Sequence, residues 1–144
     1  MHAVKIENLS HKINNKLILN EINLDLEKDK IACLLGPSGS GKTTLLKLIA
    51  GLEKVQEGKI FLNNSEVSSP TKHLKTEKRK IGFLFQDYAL FPHLTVEENI
   101  KYPINFKNSN YKIEDIINLI KLPNSLQKYP HELSGGEQQR VALA

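Results

Sequence analysis

The residues Gly36-Pro37-Ser38-Gly39-Ser40-Gly41-Lys42-Thr43 fit the spacing G-x-x-x-x-G-K-[ST]. Each residue type answers a need of triphosphate binding. Phosphate oxygens must lie close to the backbone, where side chains would collide. Glycine removes those side chains and permits positive φ. Such a loop turns its N–H groups inward as an anion nest. A helix beginning at the loop adds the positive end of its dipole. Lys42 supplies a mobile cation for the β- and γ-phosphates, and Thr43 a hydroxyl for Mg²⁺. Kinases, GTPases and transport motors share this loop, so it fixes the ligand class and leaves the reaction open.

The elements that must hold the loop are legible on both sides of it. Ile31-Ala32-Cys33-Leu34-Leu35 is apolar throughout, which predicts a strand covered on both faces of a parallel sheet. Its cysteine, the only one in the chain, then reads as a small buried hydrophobe. A lone cysteine allows no intrachain disulfide. Residues 42–50 read as a helix that Gly51 ends. Upstream, Val4, Ile6 and Leu9 open a strand. In residues 17–26, Ile22, Leu24 and Leu26 alternate with polar residues, the pattern of a strand with one buried face. Residues 59–62 predict another strand before an Asn63-Asn64 turn, and residues 81–85 a fifth. Residues 71–80, with Lys78-Arg79-Lys80, read as a solvated connector in preference to a nucleic-acid surface.

After Gln86 the pattern turns helical. Thr95-Val96-Glu97-Glu98 is a capping box that opens a helix. Ile113, Ile116, Ile117 and Ile120 fall at i, i+3, i+4 and i+7, an amphipathic helix that Pro123 stops. A second capping box, Ser134-Gly135-Gly136-Glu137, opens a last helix. A plain capped helix has no use for two glycines in its first turn, where each costs about 1 kcal/mol relative to alanine. Bare N–H groups at a helix start suit a phosphate.

Together these residues closely resemble the ATP-binding cassette (ABC) family, over residues 4–144. Residues 36–44 resemble its Walker A motif, Leu133-Ser134-Gly135-Gly136-Glu137-Gln138 its signature motif, and Gln86 its Q-loop glutamine. The resemblance implies an α/β fold. That fold is a P-loop NTPase (RecA-like) core with an N-terminal antiparallel β subdomain and an inserted α-helical subdomain. Residues 1–86 would form the β subdomain and P-loop core, 87–134 the helical subdomain and 135–144 the signature helix. The implied cofactors are ATP and Mg²⁺. Gly36, Pro37, Ser38, Gly39, Ser40, Gly41, Lys42, Thr43 and Thr44 would hold ATP in one subunit. Ser134, Gly135, Gly136 and Glu137 would cover it from a second, head-to-tail subunit, a homodimer being expected. Lys42 and Gln86 would serve catalysis, and Thr43 and Gln86 the metal.

Asp87-Tyr88-Ala89-Leu90-Phe91-Pro92-His93-Leu94-Thr95-Val96-Glu97-Glu98-Asn99 and Tyr129-Pro130-His131-Glu132 resemble the importer branch that serves ions, polyamines and sugars. The implied partner is an integral membrane permease. Tyr88 and Phe91 read equally as part of its docking groove or as packing within the subdomain. His93 and His131 read as structural, since no cluster of metal ligands accompanies them. The solute is not encoded; iron(III), an oxyanion, a polyamine and a sugar stay open, with residues 129–132 leaning to iron(III).

Two departures from the family pattern stand out. The aromatic residue that usually stacks on adenine is replaced by Ile13, with His11 as a nearby substitute. The Walker B aspartate, the glutamate base and the switch histidine have no counterpart in residues 1–144. The chain is therefore expected to be an N-terminal piece of a longer protein, lacking core strands beside residues 31–35, that alone binds ATP weakly and does not turn it over. The leading reading, implied by the resemblance, is a piece of the ATP-hydrolysing motor subunit of a membrane importer, which couples hydrolysis at a subunit interface to solute transport through a separate permease. A nucleotide-binding module without turnover is the rival reading. A DNA-repair or chromosome-type ATPase ranks below it, because such proteins place very long insertions between the two motifs.

Composition agrees with this frame. The chain has 144 residues, 40% hydrophobic and 25% charged, with a formal net charge of +4. Those proportions suit a globular domain large enough to bury a core. The mild basic excess suits an anionic ligand without requiring nucleic acid. The N-terminus lacks the apolar stretch of a signal peptide, and no apolar run approaches membrane-spanning length. The expected location is cytoplasmic, at the inner face of the cell membrane through the permease.

Overall fold

A computed structural model describes residues 2–102 and 113–144. The chain divides into two compact units, Met1–Gly82 and Phe83–Ala144.

The first unit is an antiparallel sheet with a helix packed on it. Strands β1 (His2–Ile13), β2 (Lys16–Glu27), β3 (Glu57–Leu62), β4 (Ser65–Ser69) and β5 (Lys72–His73) lie in the order β2-β1-β3-β4-β5. Two-residue hairpins set the register at both tight turns. Asn14 and Asn15 have φ of 48° and 61°, and Asn63 and Asn64 have 48° and 63°. Paired positive φ is the turn whose twist matches that of the flanking strands, and asparagine tolerates it. Ile13 therefore pairs with Lys16, and Leu62 with Ser65.

Helix α1 (Lys42–Ala50) presents Leu45 and Leu48 to this sheet. There they join Ile6, Leu9, Leu19, Val55, Ile60, Leu62 and Val67 in one buried cluster. Each such side chain stabilises the fold by about 1.5–3 kcal/mol when fully buried. Ile22 and Leu24 pack against the cluster from β2, as the alternation requires. Gly51 ends α1 at φ 80°. The Gly51 amide donates to Leu48 O at 3.2 Å and the Leu52 amide to Lys47 O at 2.9 Å, the Schellman pattern.

Four expectations for residues 31–85 need correction. Residues 31–35 form no strand and are exposed, Ile31 and Leu35 almost entirely. Cys33 is exposed with them instead of buried. An apolar run becomes a strand only by exchanging backbone hydrogen bonds with a neighbour. Among the described residues nothing pairs with it. The fifth strand expected over residues 81–85 is absent for the same reason. Residues 71–80 are more than a solvated connector: they contain β5, a single 3-10 turn at Thr76–Lys78 and the buried Arg79.

The second unit is helical. Helices α2 (Val96–Lys101), α3 (Ile113–Ile120) and α4 (Gly135–Leu143) enclose a cluster of Val96, Ile100, Ile120, Leu122, Leu133 and Val141. Thr95 caps α2: its Oγ1 accepts from the Glu98 amide while the Glu98 carboxylate accepts from the Thr95 amide. Ile113 and Ile116 pack on the cluster, and Ile120 is buried in it. Lys121, at φ 55°, turns the chain out of α3, and Pro123 begins a 3-10 turn. Part of the helical segment expected over residues 87–134 lies outside the described residues.

Candidate functional site

The phosphate loop runs into α1 through Gly41, which takes φ 89° at the helix N-cap. Only glycine fits there. A Cβ would meet Leu19 Cδ2 at 2.8 Å, and the left-handed backbone would be strained for any other residue. The Leu45 amide donates to Gly41 O at 2.9 Å and starts the helical ladder. No side chain caps this end, and no acidic residue occupies the first turn. The first amides are thus left with the positive helix end and no internal anion to satisfy it.

Lys42 folds back over the loop. Its Nζ donates to Gly36 O and Pro37 O, both at 2.8 Å, and lies 3.3 Å from Ser40 Oγ. The Ser40 amide donates to Pro37 O at 3.3 Å, closing the loop on itself. The loop thus surrounds an ammonium group with weak neutral acceptors, which a phosphate oxygen can replace at a gain in charge-assisted bonding. Ser38, Gly39 and Thr43 are exposed, and Thr44 is partly buried. A cleft of about 340 Å³ borders Ser40, Gly41 and Lys42, but Leu19, Ile22, Leu24, Leu34, Leu35 and Leu45 make most of its wall apolar. Away from that rim it is no place for a triphosphate.

At the proposed base-stacking position, Ile13 is 40% exposed at the tip of β1. His11 is 6% exposed, its Nε2 3.4 Å from Glu53 Oε2. Its ring faces the protein interior, which corrects the reading of His11 as a substitute stacking surface.

Gln86 belongs to the second unit and is exposed in an irregular turn with Asp87, Tyr88 and Ala89. Tyr88 and Ala89 take φ of 63° and 50°. Tyr88 is partly buried, and Phe91 is exposed with its ring centroid 4.3 Å from that of Tyr102. Asn99 holds the following loop. Its side chain accepts from the Phe91 amide at 2.8 Å and donates to Phe91 O, Leu94 O and Thr95 O at 2.9–3.1 Å. The sequence carried a signal for this residue: Asn99 shares one helical face with Val96 and Ile100, and a buried polar group must find partners. His93 is exposed, and His131 stacks on Tyr129 at 5.9 Å. Among the described residues no three His, Cys, Asp or Glu side chains gather as a metal site.

Ser134 caps α4 through a complete capping box. Its amide and hydroxyl donate to Glu137 Oε2 at 2.8 and 2.7 Å, and its Oγ lies 3.4 Å from the Glu137 amide. The hydroxyl and then the amide of Ser134 hold the Glu137 carboxyl below its ordinary pKa. Gly135 and Gly136 are exposed. A Cβ on Gly135 would meet nothing within 4 Å, and one on Gly136 only Arg140 Nη1 at 3.9 Å. Among the described residues, packing therefore gives no reason for either glycine. A ligand or partner approaching from outside would.

The sequence profile of the family described as ABC transporter matches residues 19–144. The chain belongs to the ABC transporter family. Among curated ABC relatives, a probable sulfate/thiosulfate import ATP-binding protein of Chlorella vulgaris is 40% identical. That match covers 99% of this chain and 61% of that protein. The spermidine/putrescine import ATP-binding protein of Thermotoga maritima is 41% identical, covering 98% of this chain and 39% of its own length. The chain thus spans only part of its curated relatives. Among solved structures, a dimeric bacterial ABC transporter cassette superposes with a TM-score of 0.78. The pair is 32% identical, with 96% of this chain and 66% of the other covered. The same cassette has been solved in a dimeric post-hydrolysis state bound to ADP and Pi. The fold is the α/β cassette expected from the motifs, with the antiparallel sheet well formed here.

Proposed function

We propose that this chain is the nucleotide-binding part of the motor subunit of a membrane importer. ATP bound and hydrolysed between two such subunits would drive a solute through a separate permease. The observation that carries this reading is the start of α1. A glycine-lined loop encloses the Lys42 ammonium at a helix end with no side-chain cap and no acidic first turn, in a chain of the ABC transporter family.

The residues fit the nucleotide. The loop residues Gly36, Pro37, Ser38, Gly39, Ser40 and Gly41, with Thr44 beyond, would cradle the phosphates through their backbone. Lys42 would exchange its carbonyl acceptors for β- and γ-phosphate oxygens. The exposed Thr43 hydroxyl would serve Mg²⁺, and the exposed Gln86 amide, in the second unit, is assigned to the same ion by the family resemblance alone. When bound, that ion neutralises charge on the phosphate oxygens. Ser134, Gly135, Gly136 and Glu137 would meet the γ-phosphate of the opposing subunit, and the open space around both glycines supports that role. The dimeric state of the related cassette supports the pairing. Turnover needs carboxylates that residues 1–144 do not supply, so this chain alone would hold ATP without cleaving it. The permease would bring the subunit to the inner face of the cell membrane. The names of the relatives support an oxyanion or a polyamine as solute over iron(III).

Titration with a fluorescent ATP analogue and Mg²⁺ tests the reading. Lys42→Ala removes charged hydrogen bonds worth about 1.5–3 kcal/mol in total, so affinity should fall roughly 10- to 100-fold with circular dichroism unchanged. Equal affinity in the two proteins would overturn the assignment of the loop.

A further inference from the structure

We propose that Arg79 is the positioning residue of the phosphate-loop helix, clamping its C-terminal end so that its N-terminal end stays aimed at the ligand. For the identity of that ligand the inference rests on the nucleotide reading above.

Arg79 is 3% exposed. Among the ion pairs of the described residues none includes it. Its guanidinium is held by neutral acceptors alone. Nη1 donates to Leu48 O at 3.1 Å and Ile49 O at 2.8 Å, in the last turn of α1. Nη2 donates to Ser68 Oγ at 2.6 Å and lies 3.5 Å from Val67 O, both in β4. Nε donates to Leu74 O at 2.8 Å, just after β5. One side chain thus ties the end of the helix to the far edge of the sheet.

The helix end is shaped to receive it. The Gly51 and Leu52 amides already serve Leu48 O and Lys47 O, and Arg79 takes Ile49 O, which that cap leaves over. A cation there also meets the negative end of the helix dipole. A Cβ on Gly51 would fall 2.3 Å from Arg79 Nε and 2.5 Å from Cζ. Gly51 therefore serves twice, by its φ of 80° and by making room for the guanidinium.

Burying a cation without a carboxylate is costly, and burial pushes the Arg79 pKa down. An apolar side chain would fill a merely structural position at least as well. The planar fork does what an apolar group cannot, fixing one helix end against several carbonyls at defined angles. Helix α1 is short and stiff, about 13 Å from end to end. A tilt of about 5° pivoting on its C-terminal end would shift the phosphate loop by about 1 Å, enough to spoil a binding geometry.

The test uses the 144-residue chain with Arg79→Gln, Arg79→Lys and Gly51→Ala. Leu62→Ala, a buried substitution in the hydrophobic cluster that Leu45 and Leu48 of α1 join, serves as a stability-matched control. Amide exchange at Leu48, Ile49 and Ala50 and affinity for the fluorescent ATP analogue are both read below the melting transition. In Arg79→Gln and Gly51→Ala, exchange should quicken and affinity fall by tenfold or more. Arg79→Lys, which keeps the cation but loses the fork, should recover part of that affinity and decides the matter if Arg79→Gln does not fold. Leu62→Ala should melt earlier yet bind normally.

Affinity in the Arg79 variants within twofold of the unsubstituted chain would overturn the inference. So would an equal loss of affinity in Leu62→Ala, since that makes the effect one of stability alone. The two claims fail separately. If the unsubstituted chain shows no saturable binding, the nucleotide reading falls, and amide exchange alone decides whether Arg79 clamps the helix. Unchanged exchange at Leu48, Ile49 and Ala50 overturns the clamp whether or not nucleotide binds.

Discussion

Two helices of this chain begin on glycine-rich loops, and they begin in opposite ways. At α1 the N-cap is Gly41, with no side chain to accept from the first amides and no acidic residue in the first turn. At α4 the N-cap is Ser134, and Glu137 closes a complete capping box with it. The first helix keeps its positive end for something outside the helix. The second satisfies its own end and still exposes two glycines. A self-capped helix can wait in place until a partner brings a phosphate to it. An uncapped one depends on its loop and, by the inference above, on Arg79 at its other end to stay in place. That difference fits one helix holding ATP in its own subunit and the other reading ATP across an interface.

The strongest way to break the contrast is at Gly41. Gly41→Ala forces a side chain into φ 89° and against Leu19 Cδ2. The strain should cost about 1–3 kcal/mol of stability and abolish nucleotide binding, measured by thermal melting and by titration. A variant that binds normally would mean the loop need not take this conformation to work. The next effect in size is at Ser134. Ser134→Ala removes the N-cap oxygen and should lower the stability of the second unit by about 1 kcal/mol. Affinity of the monomeric chain for ATP should not change if, as proposed, the signature loop acts on the nucleotide of another subunit. A matching loss in the monomer would erase the division of labour.

What the sequence made legible follows a physical line. Features closed by local chemistry came through: the α1 boundaries with Gly51, the Asn63-Asn64 turn, and the capping boxes at Thr95 and Ser134. Each needs only neighbours a few residues away. Features that depend on distant partners did not. Residues 31–35 have the composition of a central strand, but a strand exists only where another lies beside it, and composition cannot supply one. Arg79 hid inside Lys78-Arg79-Lys80, which reads as solvated charge, because the carbonyls that bury it come from Leu48, Ile49, Val67 and Leu74. His11 was misread as an accessible ring for the same reason: its surroundings are set by the register of β1 and by Glu53. The phosphate loop lies between these cases. Its residue types point to a phosphate ligand, but the fold-back of Lys42 onto Gly36 O and Pro37 O is visible only in three dimensions.

The smallest effect separates the two helix ends by pH. The Ser134 hydroxyl and amide, with lesser help from Lys128 and Arg140, hold the Glu137 pKa below its ordinary 4.5. The folded state thus binds this proton less readily than the unfolded state does. The stabilisation is fully present above the unfolded pKa and is lost as pH falls through the folded one. Helix α1 has no acidic residue in its first turn and so no corresponding dependence at its start. As pH falls from about 6 to about 3, amide protection at Glu137 and Gln138, taken relative to intrinsic exchange at each pH, should therefore drop more than at Leu45, where the ladder of α1 begins. Glu137→Gln should flatten the difference, because a neutral amide keeps part of the cap but no longer titrates. Salt should shrink it only modestly, since hydrogen bonds to Ser134 outweigh the more distant charges. If α4 showed the same pH profile with glutamine at this position, the titrating cap would not be Glu137. The self-sufficiency of the second helix would then need another source.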